Sequence, residues 1–135
     1  MAVQAGLDQR SVRIGSKKVA RATEKGAYHS FTHAARSIRV VARDSIVSSS
    51  KPGLPGGPVR TKRGRGGGLA RRSILYQANK EGAVIGHAAS RIDQAMETHE
   101  HGTKRGGVRF PKRPTMQLAL KKNLARFHRE WQWAI

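Results

Sequence analysis

The stretch KPGLPGGPVRTKRGRGGGLARRSILY, residues 51–76, splits the chain into a helical part before it and a mixed part after it. Pro52, Pro55 and Pro58 are three of the five prolines, and seven of the fifteen glycines fall between Gly53 and Gly68. Proline fixes φ and removes a donor, and glycine opens positive φ. Neither a helix nor a central strand runs through such a stretch, so residues 48–70 read as an exposed, extended loop. No acid occurs between Asp44 and Glu81. Lys51, Arg60, Lys62, Arg63, Arg65, Arg71 and Arg72 therefore have no counter-charge nearby in sequence. They stay in water or meet a partner.

Upstream, residues 16–47 read as a long helix that Ser16 would cap. Val19, Ala22, Phe31, Ala35, Ile38, Ala42 and Ile46 fall mostly three and four apart, which makes one apolar stripe. Arg36, Arg39 and Arg43 form a second stripe on another face, either solvated or turned to a neighbouring subunit. Gly26 weakens the middle of this helix by ~1 kcal/mol relative to alanine. Residues 1–15 read as an N-terminal arm, with Val12–Ile14 as a short strand or part of a flexible segment.

Downstream, Ser73–Asn79 and Ala83–Gly86 read as two strands joined by Lys80-Glu81-Gly82, a β-hairpin. A hairpin alone is marginal in water and needs a further strand or a covering helix. Residues 88–98 read as a short helix with Ile92, Ala95 and Met96 inward. Val108-Arg109-Phe110 reads as a third strand, stopped by Pro111. Pro114 suits a helix start. The closing helix, about 115–133, presents Met116, Ala119, Leu120, Leu124, Phe127 and Trp131 on one face. The expected fold is α+β: a small antiparallel sheet of three or four strands packed on the long N-terminal helix and the C-terminal helix, with the basic Pro/Gly-rich loop outside. The length of 135 residues suits a single domain.

Twenty-seven Lys and Arg against eight acids give a formal charge of +19. That predicts attraction to nucleic acid, an anionic membrane or an acidic protein face. The chain has no cysteine, which excludes disulfides and thiolate metal sites. No apolar run approaches the ~18–20 residues of a membrane span. Nor does MAVQAGLDQR hold an apolar core of signal-peptide length. A soluble protein made in a cytoplasm, without a membrane partner, is expected.

Catalytic and metal motifs are weak. His99-Glu100-His101 has histidines two apart, whereas helical zinc pairs want them four apart with a third ligand elsewhere. His29 and His33 lie one helical turn apart and read as a solvated face; His87 and His128 are scattered. The acids are dispersed and no G-x-S-x-G occurs. Gly64–Gly68 lacks the GK[ST] ending of a phosphate loop. The expectation is no enzyme and no cofactor. The basic loop can follow phosphates without reading bases. No aromatic lies between Phe31 and Tyr76, so the loop offers no stacking platform.

Several segments taken together resemble small phage morphogenesis proteins of the tail-completion, or neck (head–tail joining), type. These are Ala42-Arg43-Asp44-Ser45-Ile46, Ser50-Lys51-Pro52-Gly53 with Pro55 and Pro58, Thr61-Lys62-Arg63-Gly64, and Leu69-Ala70-Arg71-Arg72-Ser73-Ile74. Val84-Ile85-Gly86, His99-Glu100-His101-Gly102 and Arg113-Pro114 through Leu120 follow in the same order. The resemblance covers about residues 33–125. It departs from the family by Arg65-Gly66-Gly67-Gly68 in the linker and by His101, where an aromatic is usual. It implies a structural virion protein, assembled in the host cytoplasm, forming a homo-oligomeric ring (a hexamer) in the neck. Its partners would be portal adaptor or head-closure proteins on one side and tail terminator or tail tube proteins on the other. The loop and the arginine stripe become candidates for those contacts, or for non-specific contact with passing genomic DNA. A basic, structural nucleic-acid-binding protein of ribosomal type is the alternative, because the charge and the Gly/Arg loop fit it equally well.

Overall fold

The computed structural model describes residues 9–51, 53–61, 68–88 and 90–132. Four helices alternate with six short strands. They are α1 (Gln9–Ser45), β1 (Val47–Ser48), β2 (Arg60–Thr61), α2 (Leu69–Arg72), β3 (Ile74–Ala78), β4 (Ala83–His87), α3 (Ser90–His101), β5 (Thr103–Arg105), β6 (Val108–Phe110) and α4 (Met116–Gln132). The fold is α+β. Among the described residues no helix is long and apolar enough to cross a membrane.

Helix α1 has 37 residues, a rod about 55 Å long. It begins earlier than the cap at Ser16 implied, so residues 9–15 of the expected arm are helical; residues 1–8 lie outside the described residues. Only the C-terminal part of its apolar stripe is packed. Ala35, Ile38, Ala42 and Ile46 are buried, whereas Val19 is 65% exposed and Ala22 is also exposed. The covering elements explain the limit. The β3–β4 hairpin runs along α1 from Arg39, whose Nε donates to the Ile74 carbonyl at 2.8 Å, to Glu24, which pairs with Lys80 at the hairpin turn. Helix α4 lies beside the same half, where Arg126 meets His33.

The β3–β4 hairpin is antiparallel, with Ile74 opposite His87 and Ala78 opposite Ala83. Ile74, Tyr76 and Ala78 are covered, while Leu75 and Gln77 face out. Its turn is held by Asn79, whose Oδ1 accepts from the Glu81 and Gly82 amides, each at 2.8 Å. That is the local bonding that makes asparagine a turn residue.

The expected single sheet of three or four strands does not form. Among the described residues there are instead three separate two-stranded ladders, and one of them, β1–β2, is parallel. Residues 108–110 do not join the β3–β4 hairpin. They pair with Thr103–Arg105 across Gly106-Gly107, both at positive φ. Every residue of β5 and β6 is exposed, Val108 and Phe110 among them, so no element among the described residues covers either face of this ladder.

The loop also departs from a wholly exposed path. Leu54–Gly57 is a tight turn, with Gly56 at φ 74° after Pro55 and the Gly57 amide on the Leu54 carbonyl at 3.1 Å. Proline followed by a positive-φ glycine defines a type II turn. The chain then returns to α1: the Val47 amide donates to Val59 at 2.9 Å, and Ser49 to Thr61 at 2.9 Å. Val59 is only 4% exposed and joins Ile38, Ala42, Ile46, Ala70, Ile74, Met96 and Ala119 in the core.

In α4 the buried face is rotated from the expected one. Thr115, Ala119 and Asn123 are buried, with Met116 and Phe127 partly so, while Leu120 and Leu124 are 44% and 42% exposed. Asn123 is tolerated inside because its Nδ2 donates to the Ala119 carbonyl at 2.8 Å. In α3, Met96 is buried and Ile92 packs against the core; Ala95 is exposed.

Candidate functional site

The candidate cations separate into those spent within the chain and those left to solvent. Arg39, Arg43 and Arg71 are half-buried. The Arg39 guanidinium carbon stands 5.9 Å from the centre of the Tyr76 ring, in addition to its bond to Ile74. Arg71 donates through Nε to the Ile46 carbonyl at 2.9 Å and through Nη2 to the same oxygen. Ile46 follows the last residue of α1, so Arg71 places a cation where the helix dipole is negative and carbonyls lack partners. Two of these three side chains, Arg39 and Arg71, are turned onto carbonyls of their own chain.

Lys51, Arg60, Arg72 and Arg36 are exposed. Arg60 stands opposite Val47 in the β1–β2 ladder, with Nη1 at 3.4 Å from Ser49 Oγ. The Lys51 amide donates to that same hydroxyl at 3.1 Å. Lys62, Arg63 and Arg65 lie outside the described residues.

A second assembly, which the sequence alone did not reveal, joins the loop at Gly53, the end of α3 and the start of α4. Glu100, in the last turn of α3, accepts from the amides of Thr115 (2.6 Å), Met116 (3.1 Å) and Gln117 (2.8 Å). One carboxylate satisfies three orphan donors at the positive end of α4. Just before that helix, Arg113 donates its amide to the His99 carbonyl at 2.6 Å. Its Nη2 donates to the Gly53 carbonyl in the loop at 2.7 Å. Gly102 has φ 69°, and a side chain there would come within 3.2 Å of the Phe110 carbonyl and 3.3 Å of the Lys112 amide. A residue with a Cβ is strained on both counts. Burial, and secondarily the Arg113 charge, hold the His99 pKa below its usual 6.5. His99 and His101 both lie in the last turn of α3. Among the described residues no group of three His, Cys, Asp or Glu side chains is placed to hold a metal ion.

The β5–β6 hairpin carries a third group of cations. Lys104 stands directly opposite Arg109, and Arg105 opposite Val108. The hairpin, Lys112 and the Pro55-Gly56 turn line an open groove of about 990 Å³. Its sequence signal was the Gly106-Gly107 pair between two short runs, a two-residue hairpin signature.

No protein-family model, no curated protein and no solved structure matches this chain.

Proposed function

We propose that the protein is a structural component of a phage neck, a tail-completion or head–tail joining protein that works as a homo-oligomeric ring and catalyses nothing. The observation that carries this reading is the meeting of Gly53, His99-Glu100, Gly102 and Arg113. These residues belong to three separate segments of the family resemblance, and they come together at one hydrogen-bonded junction at the start of α4. A chance scatter of short matches has no reason to converge in space. Two features of the surface fit a subunit that packs against copies of itself. Residues 16–26 of α1 are exposed all round, and among the described residues each ladder has two strands, with open edges. Lys51, Arg60, Arg72 and Arg36 are the exposed candidates for contact with adjoining rings or the genome. Such a ring would face portal adaptor or head-closure proteins and tail terminator or tail tube proteins, inside the virion.

The test is the mass of the purified chain by light scattering at low and high salt, followed by electron microscopy of any large species. A discrete ring of fixed copy number is the expected result. A monomer at every salt concentration that binds nucleic acid steeply with falling salt would replace this reading with that of a basic nucleic-acid-binding protein. The charge of +19 fits either reading equally well.

A further inference from the structure

Residues 101–113 contain six basic or histidine side chains and no acid. Within them, the β5–β6 hairpin sets Lys104 and Arg109 face to face. Like charges directly opposite across a ladder are destabilising. No carboxylate among the described residues pairs with either, with Arg105 or with Lys112. A three-residue ladder has little else to hold it, and every one of its side chains is exposed. A polyanion laid against it would turn this repulsion into attraction.

The shape narrows the choice of polyanion. The tip, Gly106-Gly107, has no side chains, and a Cβ built at either position would touch nothing within 4 Å. The finger is about 10 Å long and two strands wide. A duplex major groove, roughly 12 Å wide and 8.5 Å deep, admits a two-stranded ribbon of that kind. The bare tip would enter the groove while Lys104, Arg105 and Arg109 reach phosphates on its walls. Protein interfaces, by contrast, are depleted of charge at their centre. We infer that the β5–β6 hairpin is a DNA-backbone contact, non-specific in sequence, with Lys104, Arg105 and Arg109 on phosphates and Lys112 beside them. The residues of this contact are separate in sequence from residues 60–65, and the inference does not depend on the chain forming a ring.

The experiment is fluorescence anisotropy of a labelled random-sequence duplex with the full chain, from roughly 50 to 200 mM salt. Wild type is compared with Lys104→Gln/Arg105→Gln/Arg109→Gln and with a charge-matched control at exposed positions of α4, Lys121→Gln/Lys122→Gln/Arg129→Gln. Circular dichroism checks that each triple folds, and Lys112→Gln alone gives a milder second variant. The hairpin triple is expected to weaken binding at least about tenfold at low salt and to flatten the log–log salt slope by about 2–3, with Lys112→Gln flattening it by about 1. The control should change affinity less than about threefold. Equal losses in the two triples would reduce the hairpin to a share of bulk charge and overturn the inference. Preference for polyglutamate over DNA would also overturn it, in favour of an acidic protein partner. Ring formation is read separately by mass, so either conclusion can fail alone.

Discussion

Glu100 carries more of the fold than its position suggests. Its two oxygens accept from three consecutive amides fifteen to seventeen residues away, and bonds to a charged acceptor are worth about 1.5–3 kcal/mol where partly buried. Glu100→Ala should lower unfolding stability by about 2–3 kcal/mol in denaturant titration, whereas Glu97→Ala, exposed on the same helix, should change it by less than about 0.5 kcal/mol. The neighbouring His99 gives a pH signature. Its pKa is depressed on folding, so the unfolded chain binds the proton more readily. Its contribution is therefore complete above the unfolded value of 6.5 and is lost as pH falls through the lower, folded value. Stability measured from pH 7.5 down to 5 should decline over that window, and His99→Gln should remove that part of the decline. None of this was legible in one sequence. His-Glu-x-Gly is visible as a string, but nothing in it says that its carboxylate reaches the next helix.

Among elements, those whose partners lie close in sequence were the legible ones. The β3–β4 hairpin follows from alternation around Asn79–Gly82, and its ends fall within a residue or two of the expected positions. The type II turn at Pro55-Gly56 lies in a stretch read only as an extended loop, although its dipeptide is a turn signal. The third strand was placed correctly at 108–110 but given the wrong partner, because its three residues fit any open edge and only Gly106-Gly107 selects Thr103–Arg105. Periodicity showed which residues of α1 could face a core, not how far the core extends. Val19 and Ile38 share a stripe, yet only Ile38 is covered, because the hairpin ends at Glu24. The same reasoning predicts an asymmetric mutant pair. Ile74→Ala, at a fully buried site, should cost about 2–5 kcal/mol by thermal or chemical unfolding. Val19→Ala should cost less than about 0.5 kcal/mol in the dissociated chain.

For the whole molecule, the balance between core and charge stands out. The buried apolar residues are mostly small or single-branched, while Leu54, Leu69, Leu75, Val84, Leu118, Leu120 and Leu124 stay partly in water. A small chain with so thin a core gains stability from anything that binds its folded form, and its excess of cations favours acidic faces or phosphates as what binds. Among the described residues of the loop, the exposure of Lys51 and Arg60 was legible from charge alone. The inward turn of Arg39 and Arg71 was not, since it depends on strand ends that only the fold brings to α1. The ends of the helices have one more consequence. The last turn of α1 is closed by Arg71 of α2 and the first turn of α4 by Glu100 of α3, so neither terminus is sealed by its own helix alone. Slow amide exchange at residues 115–117 would thus report on the docking of α3 as much as on α4 itself. Loosening either short helix should therefore unlatch a long one, and the four helices are expected to open and close together.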